Sequence, residues 1–278
     1  MPWTPAFAGV HLMGLPYAEV IGDPVAHSKS PLIHKFWLEK LGIPGDYRAT
    51  RVTAGELPAY IEARRADPDW RGCNVTMPLK AIAMGEIDDV VPNCRKVGAT
   101  NCLGWLDGRL WAMNHDSTAV VCALPPINGQ GTPCVVIGAG GAARAAVYAL
   151  DLLRAEITVM CRDSEKGVAL QSLSERPIGV VGMHHQPSAD YLINATPLGM
   201  PGRPRHEVDL SAMPENGLVF DMVYEPPQTE LLEQARMRGL KTENGIRMLC
   251  EQAASSFLSF FGVCPEDELV DEAVRLAG

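Results

Sequence analysis

The sequence predicts an α/β protein built in two parts, and three observations carry that reading. Strand-like apolar runs and amphipathic helical runs alternate through the first eighty or so residues, the pattern of a layered α/β domain. A hairpin then breaks the rhythm over residues 100–114. After a turn-rich loop the pattern restarts as strand, glycine loop and helix.

Taken in order, "YAEVIG" (17–22) reads as a first strand, followed by the polar loop "DPVAHSKSP". Pro31 suits a first helical turn behind Ser30 as N-cap. "LIHKFWLEKLG" continues as an amphipathic helix closed by Gly42. "DYRATRV" (46–52) is a second strand and "GELPAYIEARRA" a second helix. "RGCNVT" (71–76) is a third strand, after which Pro78 starts a short helix. In "TNCLGWLDGRLWAMN", Asp107-Gly108 between two apolar runs is a strong two-residue hairpin signal. "PPINGQGTP" (125–133) is the turn-rich loop, and "CVVIGAGGAARAAVYALDLL" follows it. "EITVMCRD", "DYLINATP", "GLVFDMVY" and "LKTENG" are further strands. A helix over 246–262 ends near Gly262, and a short acidic helix closes the chain.

Composition bounds the function. Lys and Arg number 24 against 33 Asp and Glu, a net charge of −9 over 278 residues. That argues against broad electrostatic binding to nucleic acid or an anionic membrane, while leaving room for a local basic pocket. The eight cysteines show no C-x-x-C spacing, so a zinc ribbon or a redox dithiol is not expected. They read as buried free thiols of a cytoplasmic protein. No apolar run reaches the ~18 residues that span a bilayer. The start "MPWTPAFAGVHLMG" has no basic region and two early prolines, which makes a poor signal peptide. Residues 1–12 are expected to be a disordered leader, with Met13 an alternative start.

The glycine loop carries the first chemistry. In "VVIGAGGAARA", Gly138, Gly140 and Ala143 stand in a G-x-G-x-x-A frame between a strand and a helix. This is the dinucleotide fingerprint in its proper context. Gly138 permits the tight turn, Gly140 lets the backbone approach a pyrophosphate, and Ala143 lets helix and strand pack closely. Ala139, Gly141 and Ala142 complete the loop, whose N–H groups and helix dipole face the phosphates. The next strand ends in "CRDSEKG". An acidic residue there holds the ribose 2′-hydroxyl of NAD, and an arginine accommodates the 2′-phosphate of NADP. This sequence offers Asp163 for the first, and Arg162 with Lys166 for the second.

"GCNVTMPLK" (72–80) is the most informative stretch. It sets Asn74 and Thr76, then Pro78 and Lys80, at a strand end, and lysine is a capable general acid–base in a suitable site. "GDPVAHSKSPLIHKF", "GCNVTMPLK", "VGATNCL", "NHD", "GAGGAARA", "NATPLGM", "DMVYEPPQTELL" and "NGIRMLCEQ" occur in that order. As an ordered set they resemble the shikimate dehydrogenase family, from about Tyr17 to Phe261.

The resemblance implies two domains, an N-terminal α/β substrate domain and a Rossmann-like dinucleotide-binding domain with a deep cleft between them. Residues 1–116 would be the shikimate-binding domain and 117–245 the NADP-binding one, with the helices of 246–278 returning to the first. It implies reversible hydride transfer between NADP(H) and the shikimate/3-dehydroshikimate pair, a step of chorismate and aromatic amino-acid biosynthesis. Ser28 and Ser30 match the hydroxyls that hold the substrate carboxylate. Thr76 matches a substrate-binding threonine and Lys80 the catalytic lysine. Asn101 matches an asparagine that contacts ring hydroxyls, and Asp116 the aspartate paired with the lysine. Tyr224 and Gln252 match the residues that complete the pocket. Thr196 and Pro197 fall where the family's loop runs beside the nicotinamide, and Met222 and Gly245 fall to the same cofactor side. Lys80 as ammonium would donate a proton to the forming C3 alkoxide, and as amine would take it back. The partner is a small molecule, and the chain is expected to be a monomer or a homodimer without nucleic acid or membrane.

Three departures stand out. The family's "NRT" is "CRD" here, keeping Arg162 but placing Asp163 where threonine is usual. Cys102 follows Asn101 in place of threonine. "NTDGxG" becomes "NHDSTA", so His115 replaces threonine and Ser117 and Ala119 replace glycines, which would stiffen the hinge. The departures keep two alternatives open: a quinate/shikimate dehydrogenase preferring NAD, and a catalytically silent ligand-binding paralogue. His115 and Asp116 are neighbours but are not read as a catalytic pair. His184 and His185 read as exposed loop, His27 and His34 as structural, and no metal site is proposed.

Overall fold

The computed structural model describes residues 14–127 and 130–278. The expected leader at 1–12, and Met13, lie outside the described residues. Two compact units are present: one runs to His115 and includes Cys250–Gly278, and the other is Asp116–Leu249.

The first unit is a mixed sheet with helices. Its elements are β1 (Tyr17–Gly22), α1 (Ser30–Lys40), β2 (Asp46–Arg51), α2 (Leu57–Arg65), β3 (Trp70–Val75), β4 (Asp89–Val90), α3 (Pro92–Val97), β5 (Cys102–Leu106) and β6 (Arg109–Met113). The strand order is β2-β1-β3-β5-β6-β4. β1 pairs in parallel with β2 and β3, and β5 runs antiparallel to β3 and β6. β1 and β3 are buried along their whole length, as central strands covered on both faces are. Gly72 is required between β3 and β5: its φ is +141, and an added Cβ would lie 2.3 Å from the Leu103 carbonyl oxygen. Asp107 (φ 51) and Gly108 (φ 71) make the expected hairpin turn with both central residues left-handed.

Two sequence expectations are corrected in this unit. Ser30 does not cap α1. Lys29, already helical at φ −81 and ψ −5, is the N-cap, and Ser30 is the first helical residue. The Ser28 hydroxyl oxygen accepts the Ser30 N–H at 3.2 Å instead. Nor does Pro78 start a helix. Leu79 N–H closes a turn onto the Thr76 carbonyl, and one 3₁₀ turn, Ile82–Gly85, follows.

The second unit contains α4 (Asp116–Ala123), β7 (Pro133–Ile137), α5 (Gly141–Leu152), β8 (Glu156–Met160), α6 (Ser164–Ala169), β9 (Gly179–Val181), β10 (Tyr191–Asn194), β11 (Leu218–Asp221), α7 (Glu230–Met237) and β12 (Lys241–Asn244). Its sheet is parallel throughout, in the order β12-β11-β10-β7-β8-β9. Counted within the unit this is the 3-2-1-4-5-6 order of a doubly wound dinucleotide fold, with its switch point between β7 and β10. Alternate residues of β7 serve opposite faces. Cys134 and Val136 pack with Ala146, Val147 and Leu150 of α5, and Val135 and Ile137 with Leu231 and Leu232 of α7.

α8 (Gly245–Phe261) crosses the chain boundary between the units, and α9 (Asp267–Ala277) ends the first. The unit limits differ slightly from the sequence reading. Asp116 and residues 246–249 fall in the second unit, because Ala119, Val120 and Met248 bury in the α5 core.

Candidate active site

One edge of the second unit gathers the cofactor candidates. Ile137 pairs with Met160 and with Asn194, Asn194 with Asp221, and Asp221 with Asn244. The carboxyl ends of five parallel strands therefore stand level. The residues just beyond them include Gly138, Cys161-Arg162, Ala195-Thr196, Met222 and Gly245, so one edge presents candidates from five separate motifs.

Within that edge, Gly138 has φ +111, and an added Cβ would lie 2.8 Å from Thr196 Cγ2. The glycine loop and the Thr196 loop thus touch across the switch point, and only glycine fits. Gly140 is the N-cap of α5 and has nothing within 4 Å of where a Cβ would stand, which leaves an open approach to the helix N-terminus. Gly141 and Ala142 open the helix, and Ala143 is fully buried against the sheet. Thr196 is held by Asn194, whose Oδ1 accepts from both Thr196 N–H and hydroxyl at 2.9 and 2.7 Å. Asn194 Nδ2 donates to Asp221 Oδ1 at 2.7 Å, and Thr229 donates to Asp221 Oδ2 at 2.6 Å. Burial raises the Asp221 carboxyl above its ordinary range. No sequence pattern marks this buried row.

Arg162, Asp163 and Lys166 are exposed. The Asp163 carboxylate caps α6 through the Lys166 N–H and pairs with the Lys166 ammonium at 3.2 Å.

The first unit gathers Ser28, Ser30, Thr76, Lys80, Asn101 and Gln252. β1 and β3 end level at Ile21 and Val75, so the serine loop and the lysine turn leave the sheet side by side. Gly22 lets them approach: an added Cβ would lie 2.5 Å from Thr76 Cγ2. Lys80 is half-buried, and its carbonyl accepts the Thr100 N–H at 2.7 Å, which ties the lysine turn to the strand entrance beside Asn101.

Asn101 and Gln252 are buried, and Asn101 Nδ2 donates to Gln252 Oε1 at 3.3 Å. Asn101 Oδ1 accepts the His115 main-chain N–H at 2.8 Å. Beneath them lies Asn74, a residue sequence reasoning places in the motif without a role. Tyr47 Oη donates to Asn74 Oδ1 at 2.6 Å, and Asn74 Nδ2 donates to Ser256 Oγ at 2.7 Å and the Asn101 carbonyl at 3.2 Å. Cys102, beside Asn101, is buried, and burial pushes its thiol up to about 12, so it serves here as a neutral side chain.

The expected site residues therefore divide. Asp116 is the buried first residue of α4, and Tyr224, half-buried with its phenol raised by burial, follows β11. Both belong to the second unit. Among the histidines, His27, His184 and His185 are exposed, and His34 is fully buried with its ring stacked on Tyr47 at 3.9 Å. No group of three His, Cys, Asp or Glu side chains suited to a metal occurs among the described residues.

Residues 20–103 match the shikimate dehydrogenase substrate binding domain. The chain is 44% identical over 265 residues to the shikimate dehydrogenase (NADP(+)) of Sphingopyxis alaskensis, covering 94% of this chain and 97% of that protein. It is 37% identical over 263 residues to a same-named protein of Thermus thermophilus, covering 93% and 97%. Among solved structures, a shikimate 5-dehydrogenase from Thermus thermophilus, in complex with NADP(H) and shikimate, superposes with a TM-score of 0.84 at 34% identity. That match covers 95% of this chain and all of that one.

Proposed function

We infer the function from one premise: the chain belongs to the shikimate dehydrogenase family. It catalyses the reversible reduction of 3-dehydroshikimate to shikimate with NADPH. The observation that carries this reading is the 44% identity along 94% of the chain to a shikimate dehydrogenase (NADP(+)).

The cofactor edge suits NADP. The open position at Gly140 and the tight turn at Gly138 fit a pyrophosphate against the start of α5. Gly138 to Ala143 would hold it, with Arg162 and Lys166 for the 2′-phosphate and Thr196, Pro197, Met222 and Gly245 toward the nicotinamide. When bound, the cofactor supplies the hydride chemistry.

The chain's own residues supply position and the proton. Ser28 and Ser30 hold the substrate carboxylate with neutral hydroxyl donors. Thr76, Asn101, Gln252 and Tyr224 take the ring hydroxyls, which amide and hydroxyl groups can read as both donors and acceptors. Lys80 is the general acid in reduction, giving its proton to the C3 oxygen as charge develops there. In oxidation the neutral amine takes that proton back. Asp116 orients the lysine and hydrogen-bonds the substrate. The eight cysteines form no disulfide, which supports a reducing cytoplasm. Among the described residues, no helix is long and apolar enough to cross a membrane.

Initial rates with shikimate and with quinate, each with NADP⁺ and NAD⁺, test this reading. The expected result is the highest kcat/KM for shikimate with NADP⁺. Tight shikimate binding without turnover would mark a silent paralogue, and a higher kcat/KM for quinate would reassign the substrate.

A further inference from the structure

The buried amides of the first unit form a network with fixed polarity. Main-chain N–H groups only donate and carbonyl oxygens only accept, so each amide's orientation can be worked out from its neighbours. The His115 N–H faces Asn101, so Asn101 presents Oδ1 to it and Nδ2 to Gln252. Gln252 must then turn Oε1 toward Asn101, leaving Nε2 as the opposite end of its amide. The Asn101 carbonyl faces Asn74, so Asn74 presents Nδ2 there, and also to Ser256 Oγ and, at 3.5 Å, to Gln252 Oε1. Asn74 Oδ1 then points to Tyr47, whose hydroxyl has to donate.

Tyr47 is built to hold that donor still. It is fully buried, and its ring lies parallel to the His34 imidazole, at 3.9 Å and 6°. Trp37, Phe257 and Phe260 surround the His34 ring. Neither nitrogen of His34 has a hydrogen-bond partner, so this imidazole acts as a packing plate and fixes the Tyr47 ring. One phenol on β2 is therefore joined, through Asn74, to Asn101 and Gln252.

We propose that Tyr47 is a positioning residue for substrate: acting through Asn74, it fixes which ends of Asn101 and Gln252 face shikimate. The proposal rests on the functional reading above. Removing the hydroxyl leaves Asn74 Oδ1 buried without a donor, and the amide row loses its anchor. The Tyr47 hydroxyl donates to Asn74 and its ring packs on His34 and Phe260, so the loss is expected to fall on the one substrate those amides face.

The test is Tyr47→Phe, with shikimate binding measured by calorimetric titration without cofactor and steady-state constants for both substrates. The expected result is shikimate binding weaker by about five- to tenfold, a matching rise in the shikimate KM, and kcat and the NADP⁺ KM within about twofold of wild type. Ser256→Ala, which removes a partner of Asn74 on α8, should shift shikimate binding the same way by about two- to threefold, and carries the test if Tyr47→Phe does not fold. Unchanged shikimate binding in the folded variants overturns the proposal, as do parallel changes in kcat and both KM values, which would mark a purely structural role. Wild-type protein that neither binds nor oxidises shikimate overturns the functional reading itself, and this proposal with it.

Discussion

The Asp163 carboxylate holds both ends of Lys166: it accepts the backbone N–H at 3.1 Å and lies 3.2 Å from the ammonium. The residue that departs from the family's threonine is thus occupied as a helix cap and ion-pair partner. Its charge is spent on one of the two cations proposed for the 2′-phosphate.

Asp163→Asn separates cap from charge, since asparagine caps a helix as well as aspartate does. NADP⁺ should bind about two- to fivefold tighter, the scale of one exposed ion pair, with NAD⁺ unchanged and the gain shrinking at high salt. Titration of both nucleotides checks this. Equal shifts for NADP⁺ and NAD⁺ would remove Lys166 from the 2′-phosphate site.

Acid should weaken the fold through two buried histidines. Burial lowers His34 from 6.5 to about 3 and His206 to about 4, and neither has a hydrogen-bond partner. The unfolded chain binds these protons near pH 6.5 and the folded chain does not, so stability is full above that pH and falls steadily below it. At about pH 5.5 the loss is about 1 kcal/mol for each histidine. Tm should drop between about pH 7.5 and about pH 5.5, and the drop should be shallower in His34→Phe. Equal slopes in the two proteins would show that His34 titrates normally.

His115→Thr should keep activity within about threefold, because it is the main-chain N–H of residue 115 that Asn101 accepts, and threonine retains it. Asp116→Asn should cost far more. Comparable losses in the two variants would restore a His–Asp pair.

Much of the second unit can be read from local sequence, and the reasons are physical. A glycine loop between a strand and a helix carries its constraints within a dozen residues, as Gly138 and Gly140 show. Asp107-Gly108 likewise needs only its own left-handed backbone. Other features depend on distant partners. Asn74 gains its meaning from residues 47, 101, 252 and 256, which no spacing rule connects. α4 is hard to see because "DSTAVVCA" has few polar residues to mark an outer face. Ser30 resembles a cap because the sequence does not show that Lys29 is already helical. Glu19 hides within an apolar strand, yet it is buried and held by Thr50, Tyr60 and Arg64.

If Lys80 moves the proton of shikimate oxidation, as proposed, steady-state kinetics of Lys80→Ala will show it. The variant's kcat should fall about 10²- to 10⁴-fold, with a much smaller change in the shikimate KM. A raised KM with kcat preserved would make Lys80 a binding residue and leave the proton transfer to another group.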